Sequence, residues 1–119
     1  MPDPGPRQVL STSVFKVLHF YRDWFRCPLC DYHGPFRAVA PATGRRRHAK
    51  CPSCGAIERH RLQHLVARKV LGGLPTRSMR MLHVAPEALF TGLFSRMFGT
   101  YATADLDMPG VDHKVDLQA

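Results

Sequence analysis

Cys27-Pro28-Leu29-Cys30 and Cys51-Pro52-Ser53-Cys54 decide how this chain is read. They are two C-x2-C pairs separated by residues 31–50, and they hold all four cysteines of the 119 residues. A C-x2-C turn aims two thiolates at one centre about 2.3 Å away, and a tetrahedral ion needs two such turns. The spacing therefore predicts a four-cysteine zinc ribbon with Cys27, Cys30, Cys51 and Cys54 as ligands. Gly55 follows the second pair, where a knuckle needs a residue free to take positive φ. The competing readings are two disulfides in an exported domain and a redox-active pair. The chain carries no export signal, and neither pair sits at the strand-to-helix junction of a thioredoxin-like unit.

Between the pairs, Tyr32 to Val39 reads as a short strand or hairpin arm, and Pro41-Ala42-Thr43-Gly44 as a turn. Arg45, Arg46, Arg47 and Lys50 then make a basic tip beside the second knuckle. Guanidinium groups on a rigid knuckle suit phosphate, so these residues are the candidate nucleic-acid contacts, with RNA as the expected partner. The plainer alternative is a solvated run of charge. The overall balance favours a polyanion. Net charge is +8, but residues 1–80 hold fifteen Lys and Arg against four acids, and residues 81–119 hold two against five. The acidic rear part therefore does a different job from the basic front part.

Outward from the ribbon, residues 1–10, with Pro2, Pro4, Gly5 and Pro6, read as a disordered lead-in. An amphipathic helix is expected over 11–26. Val14, Val17, Leu18, Tyr21, Trp24 and Phe25 recur at helical spacing and form the face expected to pack on the protein. A basic face with Trp and Phe opposite also fits a helix lying on a membrane surface. On the other side, Ala56 to Leu71 reads as a second helix that Gly72-Gly73 ends. Its apolar positions are Ile57, Leu62, Leu65, Val66, Val70 and Leu71. His60 and His64 share one face of it; with four thiols already filling a tetrahedral site, they read as surface or nucleic-acid contacts.

The rear part, 75–119, starts with Arg80 to Ala85, a short apolar run fitting a buried parallel strand. Pro86 suits a first helical turn and Glu87 the positive end of a helix dipole. Leu89, Phe90, Leu93, Phe94, Met97 and Phe98 give a broad apolar helical face, Gly99 a stop, and Tyr101 to Asp105 a second strand ending in a carboxylate. Strand, helix, strand and terminal acid make half of a Rossmann-like unit. Asp105 lies twenty residues after Ala85, the spacing that places an acid on a ribose hydroxyl. His113 to Leu117 is a further strand candidate. Only residues 106–112 separate it from Asp105, whereas a parallel crossover takes about a dozen or more residues. This segment is therefore expected to be no normal third parallel strand, or to loop over the sheet end.

The stretches CPLC, CPSCGAIERHRL, MLHVAPE, YATADLDMPGVD and KVDLQ resemble S-adenosylmethionine-dependent methyltransferases that carry an N-terminal four-cysteine zinc ribbon. The resemblance covers roughly residues 20–118. It implies that Ala85, Pro86 and Glu87 hold the methionine end of S-adenosylmethionine, that Asp105 holds the ribose, and that Asp116 and Leu117 border the adenine. The usual glycine-rich turn is replaced by Ala85-Pro86-Glu87, and His83 stands where an acid is expected. The chain stops at Ala119, before the further strands of that fold, so a C-terminally truncated enzyme with an incomplete pocket and an open sheet edge for a partner is expected. No residue present is assigned as a catalytic base.

The expected fold is thus α+β and α/β: a helix, a zinc ribbon with its following helix over 27–74, and a partial Rossmann-like βαβ unit. Two functions stay open. One is the front part of a methyltransferase whose ribbon docks substrate. The other is a non-enzymatic zinc-ribbon module that binds nucleic acid. No apolar run reaches the length of a membrane span, and a cytoplasmic protein is expected.

Overall fold

The computed structural model describes residues 6–118. The chain divides into two compact units, Met1–Gly72 and Gly73–Ala119. Together they carry three α-helices and three small sheets among the described residues, one of them parallel and three-stranded.

In the front unit, helix α1 spans Pro6–Leu18. Strands β1 (Phe25–Arg26) and β2 (His33–Gly34) form one antiparallel pair, and β3 (Arg37–Val39) and β4 (Arg46–Lys50) another. Helix α2 spans Glu58–Leu71. The core is small: Cys27, Gly34, Pro35, Phe36, Ala49, Cys51 and Ala56 are its buried members among the described residues. So small a core leaves much of the folding free energy to be supplied by something other than packing.

Both helices meet this core in a way that corrects the expected packing. Helix α1 begins at Pro6, so residues 6–10 are helical; residues 1–5 of the expected lead-in lie outside the described residues. It ends at Leu18, and residues 19–24 run on as turns and irregular chain. Among its described side chains Thr12, Phe15 and Lys16 are half-buried, as is His19 just past its end. Thr12 donates from Oγ1 to the Pro52 carbonyl at 3.2 Å, Arg37 lies 4.3 Å over the Phe15 ring, and Lys16 Nζ lies 4.9 Å over Trp24. Val14, Val17 and Leu18 are exposed, Val17 to 69%. Helix α2 repeats the pattern. Ile57, His60, Arg61, His64, Ala67 and Leu71 turn inward, while Leu62, Leu65, Val66 and Val70 are exposed. Cationic and aromatic side chains thus share these contacts with the half-buried aliphatics Ile57, Ala67 and Leu71.

In the rear unit, a 3₁₀ turn at Thr76–Ser78 leads into β5 (Arg80–Val84), α3 (Ala88–Met97), β6 (Thr100–Asp105) and β7 (His113–Lys114). The strand order is β5-β6-β7 and all pairing is parallel. Phe90, Phe94 and Phe98 are buried along one side of α3, with the Phe94 ring 5.3 Å from that of His83. Glu87 is the N-cap of α3, and its carbonyl takes the Phe90 and Thr91 N–H groups. Pro86 thus lies one residue ahead of the cap instead of inside the first turn. Gly99 passes so close to the Arg77 backbone that an added Cβ would overlap the Arg77 carbonyl oxygen. The opposite face of β5 is bare, with Leu82 55% exposed.

The segment after residue 112 pairs in parallel as a third strand of only two residues, short of a normal one. β7 pairs only with the last two residues of β6, Ala104 with His113 and Asp105 with Lys114. The chain thus has to step back by only about two residues, roughly 7 Å, so no full crossover is needed. Carboxylates pin that short return. Asp105 Oδ1 accepts the Asp107 and Met108 N–H groups at 2.9 and 2.8 Å. Asp112 Oδ2 accepts the Thr103 N–H at 2.8 Å and its hydroxyl at 2.9 Å. The contact with Thr103 holds the Asp112 carboxyl below the ordinary range, and that with Met108 does the same for Asp105.

Candidate metal centre and rear cleft

The first cysteine pair sits in the β1–β2 turn, the second between β4 and α2. Each knuckle is closed by the same two backbone bonds. Asp31 N–H reaches the Cys27 carbonyl and Cys27 N–H the Tyr32 carbonyl, both at 2.8 Å. Gly55 N–H reaches the Cys51 carbonyl at 3.0 Å and Cys51 N–H the Ala56 carbonyl at 2.9 Å. Asp31, like Gly55, takes positive φ, 60°. The sequence signals only the glycine; Asp31 is betrayed solely by occupying the same place after its pair.

The knuckles bring the four cysteines together. All four sulfurs lie within 4.8 Å of one another, with Cys27 to Cys54 at 3.7 Å and Cys30 to Cys51 at 3.6 Å. A disulfide would require about 2.05 Å. The edge of a thiolate tetrahedron with metal–sulfur bonds of about 2.3 Å is about 3.8 Å, close to what is found. Cys27 and Cys51 are buried, Cys30 and Cys54 half-buried. The group is positioned to hold a metal ion. Thiols this close do not ionise independently. Contact with Cys27 first, then with Cys51 and Cys54, pulls Cys30 far below an ordinary thiol; contacts with Cys27 and Cys30 push Cys51 up against an opposing effect of Cys54, and contacts with all three push Cys54 up. A divalent cation relieves that conflict, because all four can then be thiolates.

No histidine joins the group among the described residues. His60 instead accepts the Ile57 N–H on Nδ1 at 3.2 Å, capping α2. Burial pushes His64 below the ordinary imidazole range, against a smaller opposing effect of a hydrogen bond with the Pro28 backbone. Arg61 is a structural residue the sequence does not advertise. Its Nη1 donates to the Ala49 and Ala56 carbonyls, both at 2.8 Å, and its guanidinium lies 4.7 Å over Phe36.

The expected basic tip is not one cluster. Arg46 Nε pairs with Glu58 Oε1 at 3.0 Å. Lys50 lines a cleft with Arg37 beside the second knuckle. Arg45 and Arg47 line a different cleft, with Arg22 and His48. Period-2 alternation sends Arg46 away from its neighbours.

In the rear unit, Asp105, Asp116 and Leu117 come together with Val84, Leu106, Val115 and Gln118 around a cleft of about 320 Å³ at the carboxyl ends of β5 and β6. Ala85, Pro86 and Glu87 form the adjoining turn and are not in its lining. Ala85 takes φ 49° and donates its N–H to the Ala104 carbonyl at 2.9 Å. His83 is 7% exposed, shares a 2.8 Å hydrogen bond between Nδ1 and the Tyr101 hydroxyl, and faces α3 instead of the cleft.

Set against family models, curated proteins and solved structures, the chain matches none of them. No helix among the described residues is long and apolar enough to cross a membrane. What the geometry defines is a ribbon whose four cysteines are positioned to hold a metal ion, followed by a small parallel α/β unit.

Proposed function

We propose that the front unit is a zinc ribbon and that the rear unit is the cofactor-binding part of an S-adenosylmethionine-dependent methyltransferase of Rossmann-like ancestry. Four thiolates at tetrahedral separations select zinc among the common divalent ions, and a closed donor set gives it a structural role.

The observation that carries the cofactor reading is the rear cleft. It lies beyond the carboxyl ends of parallel strands, where open α/β sheets take their ligands, and it gathers Asp105, Asp116 and Leu117. The residues present suit adenosine. Asp105 spends Oδ1 on its own loop, which leaves Oδ2 for a ribose hydroxyl. Val84, Val115 and Leu117 offer apolar walls to a base. Ala85 takes the left-handed conformation for which such turns normally use glycine, and its turn is assigned the methionine end. When bound, the cofactor supplies an electrophilic methyl group. This chain's contribution is to bind and orient it, since transfer to a good nucleophile depends chiefly on positioning. The ribbon docks the methyl acceptor, an RNA in this reading.

Titration calorimetry with S-adenosylmethionine tests the cofactor half. The expected result is a saturable heat that Asp105→Ala weakens by at least about tenfold, the cost of one charge-assisted hydrogen bond. Asp105→Asn, which keeps the loop contact through Oδ1, separates ribose binding from loop folding. No heat with the zinc-loaded wild type leaves the second reading, a zinc-ribbon module that binds nucleic acid without a cofactor. That reading is favoured by Arg45 and Arg47, which have no hydrogen-bond or ion-pair partner among the described residues.

A further inference from the structure

We propose that a cleft on the front unit, walled by Tyr21, Arg22, Asp23, Arg45, Arg47 and His48, binds one nucleotide of a single-stranded nucleic acid. Arg45 and Arg47 hold the phosphate and Tyr21 stacks the base. The proposal rests on the docking role of the ribbon and is independent of the cofactor reading.

The cleft has a volume of about 380 Å³. That is within the range of about 300–1,000 Å³ typical of small-molecule sites. Three arginines, Arg22, Arg45 and Arg47, share its wall with one acid, Asp23, and neither Arg45, Arg47 nor Asp23 is spent on another partner among the described residues. An uncompensated pair of guanidiniums selects phosphate, because each presents a planar fork of donors. The strand is shaped for this. Between the pairings Arg37 with Lys50 and Val39 with Arg46, β4 carries extra residues, a bulge. His48 sits in it with φ 52°, a conformation a non-glycine residue holds only at a cost. Bulges re-aim side chains, and here the bulged segment contributes Arg47 and His48 to the cleft wall. His48 Nδ1 is buried with no hydrogen-bond partner among the described residues.

The remaining wall suits a base. Tyr21 is 69% exposed, and Arg22 approaches its ring at 5.9 Å. Stacking of this kind requires an unpaired base, which a duplex does not offer. Asp23 is an acceptor for a base amino group, while phosphate goes to the guanidiniums.

Fluorescence anisotropy of short labelled oligouridine and oligothymidine, at low salt and along a salt series, tests the site on the zinc-loaded protein. Arg45→Ala with Arg47→Ala is expected to weaken binding and to lower the slope of log affinity against log salt by about 0.7 for each phosphate no longer neutralised. Tyr21→Ala is expected to weaken it roughly 5- to 150-fold, and Tyr21→Phe to restore it. Arg46→Ala and Lys50→Ala, outside the cleft, are expected to change affinity by no more than about twofold, as for surface charges remote from a bound ligand. Tighter oligouridine assigns RNA; equal affinities assign chemistry common to both strands. Absence of binding by the wild type overturns the site together with the docking role. Equal weakening by all four basic substitutions, indifference to Tyr21→Ala, or equal affinity for a duplex overturns the site and leaves the ribbon a diffuse docking surface.

Discussion

Asp31 and Gly55 are structural equivalents. Each follows the second cysteine of its pair, each takes left-handed φ, 60° and 77°, and each closes its knuckle on the first cysteine's carbonyl. The two halves of the metal site are thus built alike although one uses an acid and the other a glycine. Left-handed backbone costs most residues about 1–2 kcal/mol, and Asp less than others because it tolerates that region. Gly55→Val is therefore expected to lower the stability of the metal-loaded front unit by about that amount or more, since a β-branched residue is the worst choice there. Asp31→Gly is expected to be close to neutral; it forgoes only an exposed ion pair with Arg26, 3.2 Å long. Thermal unfolding of both variants, with zinc content measured in parallel, checks the pair.

Metal removal should act on one unit alone. All four cysteines lie in the front unit, whose buried core is small, and none lies after Gly72. A strong chelator is expected to abolish amide protection in β1–β4 and α2 while β5, β6 and α3 keep theirs. Hydrogen exchange with and without chelator gives the comparison. Retention of protection at Cys27, Cys51 and Ala56 in the chelated protein would show that packing alone holds the ribbon.

Arg61 should matter far more than its place on a polar helix face implies. It joins α2 to two carbonyls of buried residues, Ala49 and Ala56. Arg61→Ala takes this donor from the Ala49 carbonyl, leaves the Ala56 carbonyl with the Cys51 N–H alone, and strips the cation from the Phe36 ring. The expected destabilisation is about 1.5–3 kcal/mol, the range for hydrogen bonds to a charged donor. Arg61→Lys should recover part of it, since one ammonium cannot reproduce the planar fork. Urea unfolding at fixed free zinc measures both. Lys69→Ala, on an exposed position of the same helix, is the matching control.

The rear unit should lose stability on mild acidification. Burial holds His83 below the ordinary imidazole range. The unfolded chain therefore takes up its proton first. The stability due to the neutral ring is present above about pH 6.5 and is lost progressively as pH falls through the folded value. Asp105 and Asp112, also held below their ordinary values, add a second loss at still lower pH, below about 4. His83→Leu should flatten the first step and leave the second. Unfolding midpoints of the rear unit between about pH 7 and pH 3 report both windows.

The gathering of the four cysteines was legible in the sequence because its constraint is local. A C-x2-C turn decides where two sulfurs go, and four cysteines permit one tetrahedral group. The succession β5, α3, β6 was legible for the same kind of reason. Phe90, Phe94 and Phe98 recur at helical spacing between two short apolar runs. The tertiary structure alone decided the rest. Val14 and Val17, or Leu65 and Val66, promise a buried face by their period, yet they stay exposed, because the contacts with the ribbon are made from other positions of each helix. Arg45, Arg46 and Arg47 are indistinguishable as sequence. Strand alternation and a bulge spend one on Glu58 and release two. β7 pairs in parallel after a connection that looks too short, because it returns by two rungs only and Asp112 anchors it to Thr103. Period and spacing report what a segment can do by itself; which face is used depends on the room and the partners that distant segments leave for it.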